Sequence, residues 1–446
     1  MTRIAFVGAG STIFLRNIVG DALLTPSLAD ATFALMDIDP SRLAESEALV
    51  RRMIGAVGTG ARVEATTERR RALAEADFVV TAFQVGGYRP CTVTDFEIPR
   101  AHGLRQTIGD TLGVAGIMRG LRTVPVLWSI AADMAELCPD ALMLQYVNPM
   151  AINTWALAER FPRLRAAGLC HSVQNTVMEI GHDLGLPPEE IRYKVAGINH
   201  VAFFLRLEHG GRDLYPALRE GYRAGRLPKP PLLMPRCPNH VRYEVMEQLG
   251  YFCTESSEHL AEYVPWFIKR GRPDLIERFG IPLDEYPRRC EEQIAGWQEE
   301  AARLAGGGPL RVERSHEFAA DLMDAVLTDT PRVVYANLPN RGQLPALPPG
   351  AAVETPALAD GNGIEPTVVA DLPPQLAALM RSQINVQELT VRALLDENVE
   401  HVYHAAMMDP HTAAELDLRQ IRALVDDLLA AHGDWVPAWA RRRQAA

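Results

Sequence analysis

Short apolar runs that end in polar residues dominate the first 190 residues of this chain of 446 residues. At least five runs have this form, and each predicts a β-strand. They are Ile4–Val7, Phe33–Met36, Phe78–Phe83, Ala141–Val147 and Ala166–Leu169, followed in turn by Gly8, Asp37, Gln84, Asn148 and Cys170. Open parallel sheets bind ligands outside the carboxyl ends of their strands. The five strand ends therefore predict one continuous site for a dinucleotide and a substrate.

Amphipathic helical stretches separate these runs as far as residue 185. We expect helices at 14–24, 40–56, 68–76, 113–137, 149–161 and 175–184. Such alternation predicts an α/β fold, with a doubly wound parallel sheet of the Rossmann type. The long connection 84–112 carries Gly86-Gly87 and Gln106–Asp110, and we expect it to fold over a ligand.

The alternation stops after residue 190, which predicts a second, α+β domain. Proline-rich connectors are expected at Pro228–Pro238 and Leu338–Gly350, since proline interrupts helices. A strand is expected at Val201–Leu207, and helices are expected at 241–249, 284–305 and 313–327, with two or three more within 373–432. We predict an NAD-binding domain at 1–190 and a domain for substrate, metal and oligomerisation at 191–446.

The segment Gly8-Ala9-Gly10-Ser11-Thr12-Ile13 lies between a predicted strand and a predicted helix. Two glycines allow a tight turn and a close approach of a pyrophosphate to the helix N-terminus, although Ile13 replaces the usual third glycine. Asp37 ends the next strand, where an acid binds ribose hydroxyls and favours NAD over NADP. The alternative is a tight turn with a capping acid. The residues that we predict to bind the cofactor are Gly8, Gly10, Ser11, Thr12, Asp37 and Gln84.

Charge and cysteine content narrow the class of protein. The net charge is −11 and no sustained Lys/Arg run occurs, which argues against nucleic acid as a partner. The six cysteines form no Cys-x-x-Cys pair, and this usage suits a reducing compartment. The N-terminus lacks a secretion signal, and no apolar run could cross a bilayer. We expect a soluble cytoplasmic enzyme with no membrane partner.

Several longer motifs resemble family 4 of the glycoside hydrolases, and within it the bacterial α-galactosidases. Together they extend over essentially the whole chain. They are Gln84–Glu97, Gly103–Gly113, Tyr146–Met150, Cys170–Gln174, Ala196–His200, Gly250–His259, Glu262–Lys269, His404–His411 and His432–Trp435. The resemblance implies a domain arrangement like that of lactate and malate dehydrogenases. It also implies hydrolysis in which NAD⁺ takes hydride from C3 of the sugar, a base removes the C2 proton, and the aglycone leaves by elimination before water and hydride are added back.

The resemblance implies that Cys170 and His200 bind a divalent metal ion, and the family prefers Mn²⁺. From side-chain softness alone, zinc would be expected. Taken singly, Cys170 could be a small buried residue and His200 a hydrogen-bonded core histidine. The base in the family is a tyrosine, for which Tyr263 is the candidate, with Tyr251 and Tyr243 as alternatives nearby.

Four further residues are candidates for substrate chemistry. Asp110 is predicted to protonate the leaving group, or else to cap the helix that begins near 113. Asn148 is predicted to bind sugar hydroxyls or orient the nicotinamide, or else to form a strand-ending turn. His171 replaces the acid or amide that phospho-sugar relatives place after the metal cysteine. Arg289 could serve a sugar hydroxyl, pair with Glu291 and Glu292 together with Arg288, or belong to a solvated helix face.

The predicted substrate is a small, unphosphorylated α-galactoside such as melibiose, because His171 departs from the phospho-sugar pattern and no basic cluster surrounds the predicted sugar site. An α-glucoside and a uronic acid glycoside are the alternatives within the family. A lactate- or malate-type dehydrogenase and a non-enzymatic NAD-binding regulator are more distant alternatives. We expect a homodimer or homotetramer.

Overall fold

The computed structural model describes residues 1–232, 236–305, 308 and 310–441. Its strands join in a single 12-stranded sheet. The strands are β1 Arg3–Val7, β2 Thr32–Met36, β3 Arg62–Thr66, β4 Phe78–Thr81, β5 Leu142–Gln145, β6 Ala166–Gly168, β7 Ile191–Ile198, β8 Val201–His209, β9 Arg212–Asp213, β10 Arg332–Pro339, β11 Ala352–Asp360 and β12 Gly363–Pro366.

The first half of the sheet is parallel and has the order β3-β2-β1-β4-β5-β6. This is the strand order of the Rossmann fold, as the alternation of strands and helices predicted. Val7 pairs with Met36 and with Thr81, and Thr81 pairs with Gln145. Because the last residues of these strands are in register, the segments that follow them all start at one edge of the sheet.

The second half of the sheet is antiparallel and continues from the first half without a gap. Asn337 of β10 pairs with Gly168 of β6, and Glu354 of β11 pairs with Gly197 of β7. The hairpin β7–β8 and the short strand β9 complete the order β10-β11-β7-β8-β9. These pairings place Gly168, Asn337, Glu354 and Gly197 in one row across four neighbouring strands, so the segments that follow β6 and β7 start at the same level of the sheet.

Seventeen α-helices pack around the sheet in the described part of the chain. They are α1 Thr12–Leu23, α2 Pro40–Val57, α3 Arg69–Leu73, α4 Val93–Ala101, α5 Gly113–Leu137, α6 Met150–Arg160, α7 Ser172–Leu184, α8 Tyr215–Arg223, α9 His240–Leu249, α10 Ser257–Tyr263, α11 Pro273–Phe279, α12 Glu285–Ala305, α13 Ala319–Thr328, α14 Pro374–Leu395, α15 Glu400–Met408, α16 Pro410–Glu415 and α17 Leu418–His432. None is both long and apolar enough to cross a membrane, among the residues described.

The helices depart from the sequence predictions in three places. The connection 84–112 contains helix α4, which buries Phe96 and Pro99 and therefore is not a simple loop. Helices α8, α10 and α11 were not expected, and the C-terminal part has four helices rather than two or three. Helix α13 begins at Ala319, six residues after the predicted start at 313, because Ser315 is instead held by hydrogen bonds to Asp21.

The core lies on both faces of the sheet. Along β1, Ile4 and Phe6 point to the cluster that contains α1 and α2, whereas Ala5 and Val7 point to the cluster that contains α5. This alternation is the two-residue period of a strand, and helices on both faces bury it fully. The sheet is therefore a rigid base, and the polar chemistry lies at its carboxyl edge.

Candidate active site

The glycine loop after β1 lies at the carboxyl edge of the parallel strands. Gly8 has φ of +93°, and a Cβ there would stand 2.5 Å from the carbonyl oxygen of Ala82. The Gly10 N–H donates to Asp37 Oδ2 over 2.7 Å, so the acid that ends β2 also fixes the loop. Arg42 Nη2 donates to the Gly10 carbonyl oxygen over 2.7 Å. The loop keeps the N-terminus of α1 open to a close backbone approach, and it fits the pyrophosphate of a dinucleotide.

The other residues predicted to bind the cofactor surround this loop. The Ser11 N–H donates to the Gly8 carbonyl oxygen over 3.0 Å. Thr12 is the first residue of α1, and its side chain lies outside the described part of the structure. Gln84 Nε2 donates to Thr92 Oγ1 over 2.6 Å and so braces the segment after β4. Contacts of Ser11, Thr12 and Gln84 with a dinucleotide stay predictions.

Cys170, His200 and Glu255 bring three different donor atoms together at the end of β6. Cys170 Sγ lies 3.4 Å from His200 Nε2, and Glu255 Oε2 lies 3.6 Å from the same nitrogen. His200 occupies the two-residue turn between β7 and β8, and Glu255 lies in the loop before α10. The three donors all lie within 4.8 Å of one another. The predicted pair Cys170–His200 is thus brought together, with a carboxylate that the sequence analysis did not single out.

The three donors fit a divalent metal ion. Donor atoms bound to one first-row metal at about 2.0–2.3 Å lie about 3–3.6 Å from one another, as the two distances to His200 Nε2 do. Next to His200 in the chain, both amide atoms of Asn199 are buried without a hydrogen-bond partner among the described residues, and such a group calls for a partner that the protein itself does not provide. Burial, reinforced by Glu255 and Glu354, raises the pKa of the Cys170 thiol well above its ordinary value. A coordinated cation would deprotonate it.

A second group of polar side chains adjoins the first through His200. Asp110 Oδ2 accepts a hydrogen bond from Asn148 Nδ2 over 2.8 Å, and Asp110 Oδ1 lies 3.9 Å from His259 Nε2. His259 Nδ1 lies 2.7 Å from Ser256 Oγ. The N-cap position of α5 is occupied by Leu112, so the alternative role of Asp110 as the cap of that helix is wrong.

The charge states in this second group follow from burial and from the neighbouring cations. Burial alone would raise the pKa of Asp110, but Arg119 and the two histidines lower it overall. Burial lowers the pKa of His259 to about 4, so its imidazole is neutral near pH 7. Asp110 is therefore ionised in the free protein, and a role in protonating a leaving group requires bound substrate or cofactor to change that balance.

Tyr263 lies against this cluster. Its hydroxyl oxygen lies 3.4 Å from His200 Nδ1, and the residue is fully buried. Burial, with Asp110 and Glu262, raises the pKa of its phenol well above the ordinary value. The alternatives lie elsewhere. Tyr243 donates its hydroxyl to Asp183 over 2.7 Å, and Tyr251 packs edge-on against Tyr215.

His171 and Arg289 lie beside the cluster and are bound to carboxylates. His171 Nδ1 is 3.5 Å from Glu317 Oε1. Burial alone would lower the pKa of His171, but the hydrogen bond and charge of Glu317 raise it overall. Arg289 pairs with Glu258 and, over 3.0 Å, with Glu285. Arg289 is the predicted substrate residue for which the geometry offers least support, because two buried carboxylates already neutralise its guanidinium.

Glu255 and His259 are the residues that the sequence analysis missed. Both lie in the Gly250–His259 motif, and Glu255, His259 and Tyr263 follow one another at intervals of four residues. Residues four apart lie on the same face of a helix. This spacing was therefore a signal that His259 and Tyr263 would face the same site, once a helix had been predicted there. Glu255 precedes α10 and has a non-helical φ of +66°, so helical spacing does not account for its position.

Comparisons with known proteins show the family of this chain. Residues 3–186 match the model of the family 4 glycosyl hydrolases, and residues 195–412 match the model of the C-terminal domain of that family. An alpha-galactosidase of Bacillus subtilis (strain 168) is 45% identical, with 98% of this chain and 100% of the relative covered. An alpha-galactosidase of Rhizobium meliloti (strain 1021) is 33% identical, with 100% and 91% covered.

Solved structures show the same fold. The Bacillus subtilis protein lplD is 27% identical, with 96% of this chain and 99% of that chain covered and a TM-score of 0.87. A 6-phospho-alpha-glucosidase from gut microorganisms, solved with NAD and Mn²⁺, is 20% identical, with 98% and 99% covered and a TM-score of 0.81. Malate dehydrogenase of Cryptosporidium parvum is 15% identical, with 89% and 100% covered and a TM-score of 0.54. The last two support the fold alone.

The two family models, the two relatives above 30% identity and the shared fold confirm the resemblance found in the sequence motifs. The predicted fold class, a Rossmann-type sheet followed by a second domain as in malate dehydrogenases, is confirmed as well. The chain belongs to the family 4 glycosyl hydrolases.

Proposed function

We propose that this chain hydrolyses terminal α-galactosides with the help of bound NAD and Mn²⁺. The observation that carries the proposal is the convergence of a thiol, an imidazole and a phenol beside the glycine loop. The imidazole of His200 lies 3.4 Å from Cys170 Sγ on one side and 3.4 Å from the Tyr263 hydroxyl on the other. The two alpha-galactosidase relatives support the choice of sugar. The sequence motifs imply the two cofactors, and the fold neighbour from gut microorganisms was solved with the same pair, NAD and Mn²⁺.

The proposal assigns two groups of residues to the two cofactors. Gly8, Gly10 and Asp37 hold the dinucleotide, and Cys170 and His200 hold the cation. When bound, NAD⁺ provides a reversible hydride acceptor for C3 of the sugar, and Mn²⁺ provides a Lewis acid for the sugar oxygens. His200 would hold the cation through Nε2, which lies near Cys170 and Glu255, and its ring proton would then be on Nδ1, 3.4 Å from the Tyr263 oxygen.

That arrangement supports Tyr263 as the base for the C2 proton. A buried phenol does not ionise near pH 7 unless positive charge lies close by. With a cation held at the opposite nitrogen, the Nδ1–H of His200 would face the phenol oxygen and would stabilise the phenolate. Asp110 is the proposed donor to the leaving group, and Asn148, His171 and Arg289 are the proposed substrate contacts.

An assay with aryl glycosides tests the proposal. Hydrolysis of an aryl α-galactoside should need NAD⁺, Mn²⁺ and a reductant that keeps Cys170 reduced. The value of kcat/KM should be higher for the α-galactoside than for the α-glucoside, the α-galacturonide and their 6-phosphates. Turnover by protein freed of NAD and treated with EDTA would contradict the mechanism, and a preference for another glycoside would contradict the substrate.

Matched tyrosine variants test the base. Tyr263→Phe should lower kcat by at least about 10²-fold, the contribution of a positioned acid–base group. Tyr243→Phe removes a buried hydroxyl of the same type, bound to Asp183 away from the cluster, and should leave kcat nearly unchanged. Product made in D₂O should carry deuterium at C2. Equal effects of the two variants would assign the loss to packing rather than to proton transfer.

Three coarser expectations complete the proposal. The division into domains at 1–190 and 191–446 is supported by the two family models, which cover 3–186 and 195–412. The homodimer or homotetramer and the cytoplasmic location stay predictions from the sequence. Size-exclusion chromatography with light scattering would test the oligomeric state.

A further inference from the structure

The Glu255 carboxylate lies between the two histidines of the cluster. Its Oε2 is 3.6 Å from His200 Nε2, and its Oε1 is 3.5 Å from His259 Nδ1. Its side chain is 13% exposed, so little water reaches the carboxylate. A buried charge of this kind is costly unless a cation or several hydrogen bonds compensate it.

The fold holds Glu255 in this place at a conformational cost. Its φ is +66°, a left-handed conformation that costs a residue other than glycine roughly 1–2 kcal/mol. The buried Arg242 donates to the backbone carbonyl oxygen of Glu255 and is itself held by Glu179 and Asn239. The loop is therefore fixed by its backbone, which leaves the carboxylate oxygens free to face the cluster. Strained residues that their surroundings over-determine are typical of functional sites.

We propose that Glu255 is a third protein ligand of the metal ion, beside Cys170 and His200. The inference rests on the proposed function in one respect, that a divalent cation binds at Cys170 and His200. Two features of the geometry favour a ligand over a hydrogen-bonding neighbour. Glu255 Oε2 and Cys170 Sγ both approach Nε2, the nitrogen that would face the ion, and the separations of 3.4 and 3.6 Å are those of donors that share one ion.

Charge and donor type point the same way. A thiolate and a carboxylate together balance the two positive charges of the ion within the buried site. Cysteine and histidine alone would favour zinc, whereas an added carboxylate suits Mn²⁺. Glu255 thus provides a reason, within this chain, for a preference for Mn²⁺ that the softness of Cys170 does not explain.

Metal titrations of the full chain with NAD⁺ present and sugar absent test this inference. Binding is followed by the loss of the electron paramagnetic resonance signal of free Mn²⁺. Glu255→Gln removes the charge but keeps the shape, and Glu255→Asp keeps the charge but shortens the reach by about 1.5 Å. A metal ligand must have both the charge and the right length. Loss of a residue that only supports a ligand costs about 10–100-fold in metal affinity. We therefore expect the Mn²⁺ affinity to fall at least about 100-fold in Glu255→Gln and about tenfold in Glu255→Asp. The affinity of Glu255→Gln for Zn²⁺ should fall less than its affinity for Mn²⁺.

The matched control is Glu354→Gln, which changes another buried glutamate near the same cluster. Glu354 Oε1 accepts a hydrogen bond from Asn337 and does not belong to the group of donors formed by Cys170, His200 and Glu255. The Mn²⁺ affinity of this variant should therefore stay within about threefold of that of the unsubstituted chain. Glu255→Asp with unchanged affinity would overturn the ligand assignment and leave only an electrostatic role. The difference infrared spectrum of the unsubstituted chain should show a shifted carboxylate stretch on Mn²⁺ binding. Its absence would overturn the assignment even if a variant failed to fold.

Cobalt separates failure of this inference from failure of the proposed function. Co²⁺ bound to the unsubstituted chain should give a thiolate charge-transfer band that Cys170→Ser abolishes. A missing band in the unsubstituted chain would overturn the proposed metal site and, with it, the role of Glu255. A normal band combined with unchanged Mn²⁺ affinity in both Glu255 variants would overturn the role of Glu255 alone.

Discussion

Glu354 should make the protein less stable as pH rises, and Glu354→Gln should remove that dependence. Glu354 lies on β11 and is fully buried. Asn337 Nδ2 donates to its Oε1 over 3.3 Å, and its Oε2 has no partner in the described part of the chain. Burial raises its pKa from 4.5 to about 8, with Glu255 adding to the effect and Asn337 opposing it. The folded protein therefore keeps this carboxyl protonated near pH 7.

The sign of the effect follows from the two protonation states. Below pH 4.5 the carboxyl is protonated in both the folded and the unfolded chain, so its contribution to stability is fully present. Between that pH and about 8 the unfolded chain loses the proton and the folded chain keeps it, so the free energy of unfolding falls as pH rises. At about 1.4 kcal/mol for each pH unit the upper limit is about 5 kcal/mol. Relaxation and water penetration reduce it, and we expect a loss of about 2–4 kcal/mol.

Urea unfolding at pH 5, 6, 7 and 8, with EDTA present, measures this loss. The stability of Glu354→Gln relative to the unsubstituted chain should increase steadily across that range. Glu365→Gln is the matched control, because Glu365 is exposed on the neighbouring strand β12 and its substitution should have the same effect at every pH. A difference between Glu354→Gln and the unsubstituted chain that stays constant within about 0.5 kcal/mol would refute the reasoning.

Three further perturbations follow from contacts in the site. Gly10→Ala would place a Cβ 2.7 Å from Asp37 Oδ2 and break the hydrogen bond from the Gly10 N–H to that oxygen. The Kd for NAD⁺, measured by fluorescence titration, should therefore rise about tenfold, and an unchanged Kd would contradict the role of this loop. The Glu262 carboxylate accepts hydrogen bonds from the backbone N–H groups of residues 107–109, and Glu262→Gln would leave one of these three groups facing an amide N–H. The free energy of unfolding in urea should fall by about 2–3 kcal/mol, and kcat should fall as well. Unchanged stability would show that these three hydrogen bonds contribute little. A metal ion that binds only the folded chain stabilises it, so EDTA should lower the Tm of the unsubstituted chain. The Tm of Cys170→Ser should not change with EDTA. An equal fall in both proteins would place the metal elsewhere.

The parallel half of the sheet could be predicted because its signals are local. Five of its six strands are short apolar runs, each followed by a helical segment, and the strand order of the Rossmann fold is the common solution for such a pattern. The sixth strand, β3 Arg62–Thr66, buries only Val63 and was not among the predicted runs. The antiparallel half could not be predicted in the same way. The pairing of Asn337 with Gly168 joins residues 169 positions apart, and nothing in either short segment specifies the other. Tertiary packing alone brings β10 beside β6.

The site was predictable to the extent that strand ends and motifs specify it. Cys170 ends a strand, and His200 and Tyr263 came with the family motifs. His259 was missed because α10 has only seven residues, and the apolar period of so short a helix is too brief to be recognised. Glu255 was missed because it lies in the loop before α10, where no periodic pattern singles out a residue. Without that helix, the four-residue spacing of His259 and Tyr263 had no structural meaning.

The turn that carries His200 has a histidine at a position where glycine would be more stable. Ile198 pairs with Val201, so Asn199 and His200 form the whole connection between β7 and β8. His200 has φ of +65° at the second position of this turn, where glycine avoids the steric cost of a side chain. A hairpin selected for stability would have glycine there, and the histidine instead costs roughly 1–2 kcal/mol. That strain is compensated by the long β7–β8 ladder, and it fixes an imidazole with Nε2 directed at Cys170 and Glu255 and with Nδ1 directed at Tyr263. One ring held in a strained turn therefore couples the metal ligands to the proposed base.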